Sequence, residues 1–442
     1  GMALLRSRPA MGGADGAGRE SPQRPPPLFF LRRKLSSAPA EGARLARCLG
    51  AGDLVSVGVG STVGAGVYVL IGTAARELAG PAIVLSFGIA GLAATLSAIC
   101  YAELASRNPS AGSAYAYSYS CIGEGVAWLI GWALILEYTV SAAAVARGLL
   151  PNLGVFLGTP PGFGRLELGP GIMLDPAAPV FVLLATWLLA SGIQQGVRVQ
   201  ALLTWSNVAV LSLVVVVGGA LAARSGFPGL SEENGGWAPY GAQGVISGAA
   251  MVFFSYIGFD TVASTAEEVR EPQRDLPRGI VLSLALCATL YMAVGGVLTA
   301  LVPSAQLDKD TPISTALADA GLPGMSVLVA VGAVASLCTT LMGSLLPQPR
   351  VLMAMSRDGL LPPWVGEIRG STMVPLNATI LTGVAAAALA AAVDIEALSD
   401  MVSAGTLLAF TVVSISLLIL RYAPPGLEDK DREVAARRGG GG

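Results

Sequence analysis

The stretch that decides the reading is Gly58-Val59-Gly60-Ser61-Thr62-Val63-Gly64-Ala65-Gly66-Val67-Tyr68. It lies in an apolar run, about 53–74, long enough to cross a bilayer, which takes roughly 20 residues. Yet four glycines fall within nine residues, 58–66, and each weakens a helix interior by about 1 kcal/mol relative to alanine. A membrane helix with this sequence is expected to unwind. Unwound backbone at membrane depth is tolerated only where it is buried in protein or lines a cavity. Its free amides, beside the N-terminus of a half-helix, suit a carboxylate. The competing reading is close helix packing through small residues, and this segment alone divides evenly between the two.

Nine further apolar segments follow, at about 80–103, 125–147, 177–196, 199–222, 244–265, 279–302, 324–346, 374–393 and 396–420. The sixth of the ten supplies the partner: Phe253-Phe254-Ser255-Tyr256-Ile257-Gly258-Phe259-Asp260-Thr261 has an interior glycine, flanking aromatics and an acid inside an apolar run. Segments one and six open the two halves of a five-plus-five chain. Interrupted helices at matching positions of an inverted repeat point to a transporter site, and the pair tips the balance away from simple packing.

Composition agrees. Of 442 residues 53% are hydrophobic and 13% charged, with mean hydropathy +0.66, against about 25% charged in a soluble protein. A soluble enzyme, a disordered tail protein and a nucleic-acid binder are excluded. The net charge of −2 offers no basic field for phosphates. There is no histidine, which removes histidine acid–base chemistry and the usual metal sites. No enzyme activity, cofactor or metal is expected. The five cysteines are scattered without CxxC spacing and read as small hydrophobes. Residues 1–50, rich in Pro, Gly and Arg, read as a disordered cytosolic tail. Residues 51–422 are the membrane core, and 423–442 a polar C-terminal tail. With the N-terminus inside, 22 of the 27 Lys and Arg fall on the inner side, so both termini are expected to be cytosolic.

The segments also carry a resemblance. Gly60-Ser61-Thr62-Val63-Gly64-Ala65-Gly66-Val67-Tyr68-Val69-Leu70 resembles the first helix of the amino acid–polyamine–organocation superfamily, and within it the cationic amino acid transporters. Cys100-Tyr101-Ala102-Glu103-Leu104, Gly112-Ser113-Ala114-Tyr115 and Phe259-Asp260 with Ala266-Glu267-Glu268-Val269 match in order. So do Leu346-Pro347-Gln348-Pro349-Arg350 and Ser356-Arg357-Asp358-Gly359-Leu360. Gly123-Glu124-Gly125-Val126-Ala127-Trp128-Leu129-Ile130-Gly131-Trp132 is most similar to the plant branch, often vacuolar. The likeness runs from about residue 44 to 424. It implies an all-α polytopic membrane protein with a five-plus-five inverted-repeat bundle and discontinuous helices one and six. The implied function is secondary transport of cationic amino acids (arginine, lysine, ornithine) by alternating access. A neutral amino acid or γ-aminobutyrate carrier of the same fold and a non-transporting sensor are the alternatives. A vacuolar or plasma membrane, its lipid, and protons or a homo-oligomer as further partners complete the expectation.

Carried over residue by residue, the resemblance gives Gly64, Ala65 and Gly66 as amide donors to the substrate carboxylate. Carbonyls of Phe254, Ser255 and Ile257 would accept from its amino group, with Phe254 also a lid. Asp260 falls near the substrate, and Ser344, where neutral-amino-acid relatives are bulkier, would leave room for a long cationic chain. Glu103, Glu137 and Asn207 are candidates for charge compensation or coupling. Proton-coupled bacterial relatives carry a lysine where Asn207 stands, which puts lysine-based coupling in doubt. Family members usually have twelve or fourteen spans against ten here, so a scaffold or dimer-forming surface is expected to be missing.

Acids within spans cost about 2.5–3.5 kcal/mol on insertion scales. Glu137 is expected either to face the pocket, for a cation or a proton, or to be a neutral acid bonded to a neighbouring helix such as that of Asn207. No Lys or Arg is expected inside a span to pair with it. Glu267, Glu268, Arg270, Glu271, Arg274, Asp275 and Arg278 alternate in sign and read as a solvated loop first and as an ion-paired gate second.

Overall fold

The computed structural model describes residues 47–64, 66–158, 166–169, 172–174, 176–231, 236–308, 311–368, 374–392 and 395–422. The glycine-rich run breaks its helix as expected: α1 (Ala51–Thr62) ends where Val63 turns to extended backbone. The chain resumes at Gly66–Leu70 as a loosened π-type turn. It then passes through α2 (Ile71–Ala74) and a second π-type turn, Ala75–Ala79, before Gly80 reverses it at φ +60°. α3 (Ile83–Arg107) forms the second span and α4 (Ala114–Cys121) a short helix, followed by α5 (Glu124–Leu157), α6 (Ala177–Ala190) and α7 (Ile193–Arg224).

The sixth span is broken at the matching place. α8 (Gly241–Val252) tightens into a 3-10 turn over Phe253–Tyr256, Ile257 is extended, Gly258 takes φ +130°, and α9 (Asp260–Ser264) restarts the helix. Then come α10 (Pro272–Leu301), α11 (Pro312–Asp319), α12 (Pro323–Leu345), α13 (Gln348–Arg357), α14 (Leu376–Ala392) and α15 (Ile395–Tyr422). Among the described residues, seven helical stretches are long and apolar enough to cross a bilayer. One of them, Gly66–Arg107, joins the second half of span one to span two, and α6 and α14 are shorter apolar helices.

The second span, α3, lies along the seventh, α10, and the third, α5, along the eighth, α12. α1 is enclosed by α7, α10 and α12. Large apolar side chains such as Leu92, Leu96, Trp187, Leu202 and Val216 stay exposed on the outward faces, as in a bundle whose solvent is lipid rather than water.

Four features differ from the sequence reading. A short antiparallel hairpin, β1 (Leu166–Gly169) with β2 (Ile172–Leu174), is added to the expected all-α bundle between α5 and α6. Arg147 lies inside α5, which runs ten residues past the expected end, and is 4% exposed. It donates from Nε to Ala390 O at 2.7 Å and from Nη2 to Ala391 O at 3.2 Å, covering terminal carbonyls of α14. Residues 48 and 49, assigned to the tail, are pinned to the core. Both amides bond Glu268 O at 3.0 Å, and Leu49 pairs with Val269. Finally, the charged loop after α9 is not simply solvated. Glu268 and Arg350 form a buried pair, with Nε and Nη2 of the arginine on the carboxylate at 2.8–3.0 Å. Burial pushes the Glu268 carboxyl above its usual range, against the pull of Arg350. Residues 1–46 and 423–442 lie outside the described residues.

Candidate functional site

Glycine is required where the two breaks meet. A Cβ on Gly258 would stand 2.6 Å from Ser61 O, and one on Gly66 would stand 2.7 Å from the Cα of Ser255. Neither position has room for a side chain, so each broken helix is seated against the backbone of the other. Freed carbonyls find hydroxyls. Tyr291 OH lies 2.8 Å from Thr62 O and 3.0 Å from Ser255 O, and so bridges the breaks from α10. Ser336 Oγ and Thr340 Oγ1 of α12 donate to Val63 O at 2.7 and 2.9 Å. The small-to-medium polar residues of α12 thus hold open what the glycines unwind.

Beside this junction is a cavity of roughly 490 Å³ of empty space, part of it open. Span one contributes Ser61, Thr62 and Gly66, and span six contributes Phe254, Ser255, Ile257, Gly258, Asp260 and Thr261. α5 adds Glu137, Tyr138, Ser141 and Val145, and α12 adds Thr340, Gly343 and Ser344. Phe254 and Ile257 are half-buried, while Ser255, Asp260 and Glu137 are almost wholly buried.

The cavity has two chemically different parts. One is backbone: the broken strands, with Ile257 N bonded to Phe254 O at 3.1 Å. A carbonyl has two lone pairs, so Phe254 O and Ser255 O each retain acceptor capacity. The other is acidic. Tyr138 OH donates to Asp260 Oδ2, and Thr406 Oγ1 of α15 donates to Glu137 Oε1. The remaining oxygens, Asp260 Oδ1 and Glu137 Oε2, and the hydroxyl of Ser255 have no hydrogen-bond partner among the described residues. Ser344 Oγ meets Ser141 Oγ at 3.1 Å and keeps that wall small and polar.

The sequence-expected residues therefore divide. Gly66, Phe254, Ser255, Ile257, Asp260, Ser344 and Glu137 come together on one cavity. Gly64 is buried just behind it, where a Cβ would stand 2.2 Å from Thr340 Oγ1, and Ala65 lies outside the described residues. Asn207 is set apart, accepting from Tyr68 OH and donating to Ser336 Oγ at 3.0 Å. Glu103 is at the end of α3, bonded to Arg107 and Arg421, away from the cavity. Tyr138, Ser141, Val145 and Thr340 were not expected. Glu137, Ser141 and Val145 share a helix face at spacing four, as do Thr340 and Ser344. That periodicity was the available signal, once Glu137 and Ser344 were chosen.

Comparison with known proteins gives this geometry a family. A model of the amino acid permease family matches residues 49–435. The chain is 53% identical over 387 residues, 86% of its length, to "Cationic amino acid transporter 4, vacuolar" of Arabidopsis thaliana, and covers 64% of that protein. It is 54% identical over 387 residues to "Cationic amino acid transporter 3, mitochondrial" of the same plant, covering 63% of it. It is 39% identical to the "Methylthioribose transporter" of Bacillus subtilis (strain 168), over 90% of this chain and 87% of that one. The chain thus spans a little under two thirds of the plant relatives' length. With two apolar helices broken at matching places, a cavity between them and a family match over most of its length, the chain belongs to the amino acid permease family and is an integral membrane protein.

Proposed function

We propose that this protein carries cationic amino acids, of the arginine, lysine and ornithine type, across a membrane by alternating access. The observation that carries the reading is the two-part cavity: unwound backbone of spans one and six at one part, two buried acids at the other. A zwitterionic head group binds amides and carbonyls, and a cationic side chain needs carboxylates. Amides at Gly64, Ala65 and Gly66 take the substrate carboxylate. Carbonyls of Phe254, Ser255 and Ile257 take its amino group, and the Phe254 ring covers it. Asp260 and Glu137 receive the side chain, and Ser344 with Ser141 leaves it room. Asn207 has no charge to change, so coupling through a lysine on α7 is not part of the proposal. The vacuolar membrane, with both termini cytosolic, is the proposed location, supported by a plant relative's name and by the Lys and Arg distribution.

Radiolabelled L-arginine flux into proteoliposomes tests it. Saturable uptake competed by lysine and ornithine is the expected result, and its absence ends the reading. A second reading, an uncharged solute in the same cavity, is favoured by the methylthioribose-named relative over nearly its whole length. Uptake of methylthioribose or alanine that arginine does not compete would establish it instead.

A further inference from the structure

Glu137 is 3% and Asp260 2% exposed, they line one cavity, and each has an oxygen without a partner. Among the described residues, no cation is bonded to either acid from the elements packed around α5 and α9. Arg147, ten residues along α5 and so about 15 Å away by helical rise, covers the carbonyls of α14. On α13, Arg350 is held by Glu268 and Arg357 by Glu267. Arg107 of α3 and Arg421 of α15 are both on Glu103. α10 carries Arg274, Asp275 and Arg278 in its first turns, Arg274 being bonded to Glu271, and otherwise brings Cys287 and Tyr291. α1 brings Asp53 at its far end, α4 only tyrosines and Cys121, and α12 only Cys338. α6 and α14 carry no titratable side chain. The groups that face the acids are the neutral hydroxyls of Tyr138, Tyr101 and Thr406 and, at Asp260, the backbone amides of Gly258, Asp260 and Thr261; none of them carries a charge.

Two buried carboxylates on one cavity do not both ionise without a cation, because each uncompensated buried charge is disfavoured and the second faces the field of the first. We infer that Glu137 and Asp260 share one proton in the empty cavity, and that a substrate's cationic side chain displaces it. The inference rests on the cationic-substrate reading above. In the step, the carboxyl O–H bond breaks, the proton passes to a solvent base, and the ammonium or guanidinium of the substrate takes its place between the two carboxylates. The acidic part carries −1 before and −2 plus +1 afterwards, so its net charge is unchanged. When the cation leaves, the pair regains a proton from the side of release. Over a full cycle the protein exchanges one cationic amino acid for one proton, and an acidic compartment draws the amino acid in.

The test uses the purified full chain in weakly buffered detergent near pH 7, titrated with L-arginine while a pH-indicator dye reports protons and calorimetry reports binding. About one proton released per arginine bound is expected, with none for L-citrulline, the uncharged analogue of the same length. Glu137→Gln should bind arginine without release. Should that variant fail to fold, the wild-type dependence on pH still decides. The apparent Kd should tighten about tenfold per pH unit while the proton is retained. Arginine binding with no proton release and no pH dependence overturns the shared proton and leaves the substrate reading intact. No arginine binding at all overturns both.

Discussion

Replacing Gly66 by alanine should separate the two broken helices. The added Cβ would stand 2.3 Å from Ser255 Oγ, 2.4 Å from its Cβ and 2.7 Å from its Cα. The hydroxyl can rotate away, but the Cα is backbone. Ordinary carbon contact begins near roughly 3.5 Å, so span six must retreat by about 0.8 Å. Overpacking of this kind costs about 1–3 kcal/mol. If it falls on the geometry that binds substrate, arginine affinity drops about 5- to 150-fold. Equilibrium binding of labelled arginine to purified protein measures it, with melting temperature recorded alongside to separate binding from folding. Adding Ser255→Gly removes the two nearer contacts but not the Cα, and should recover part of the loss. Gly52→Ala, on α1 with nothing within 4 Å of the new methyl, is the control. Wild-type affinity in Gly66→Ala would refute the idea that the breaks are held in contact.

Arg350→Met should lower the melting temperature sharply, since stranding one partner of a buried pair costs about 3–5 kcal/mol. Adding Glu268→Leu should restore most of it, and thermal unfolding in detergent checks both. Tyr138→Phe removes the donor to Asp260 and should weaken arginine binding about 10- to 150-fold, a charged hydrogen bond contributing about 1.5–3 kcal/mol. Citrulline binding should be little changed. Asn207→Leu leaves Tyr68 OH and Ser336 Oγ without their bond to that side chain, which should cost about 1–3 kcal/mol of stability per stranded group.

Much of this was legible in the chain. Apolar runs of span length and low charge announce membrane helices, because lipid leaves every backbone group to be satisfied internally. Glycine clustering at 58–66 and the Gly258 interruption announce breaks, because local backbone propensity is a property of the residues themselves. The same local logic marked the segments that hold Gly66, Phe254, Ser255 and Asp260, and the resemblance picked those residues out within them. Ser344 entered through the resemblance, and Glu137 as an acid in the middle of an apolar run. Distance along the chain concealed the rest. Thr406 reaches Glu137 across 269 positions, and Arg350 reaches Glu268 across 82. Glu103 sat in a matching motif yet is turned to Arg107 and Arg421 at a helix end.

The amino-acid order by itself determined where helices form and where they fail, since hydrophobic run length and glycine content act within a few residues. Which carboxylates remain unpaired was decided only by tertiary structure. Charge pairing depends on separation in space, and the fold turned Arg147 to the carbonyls of α14 and Arg350 to Glu268. It left Glu137 and Asp260 facing one small cavity with neutral hydroxyls for company.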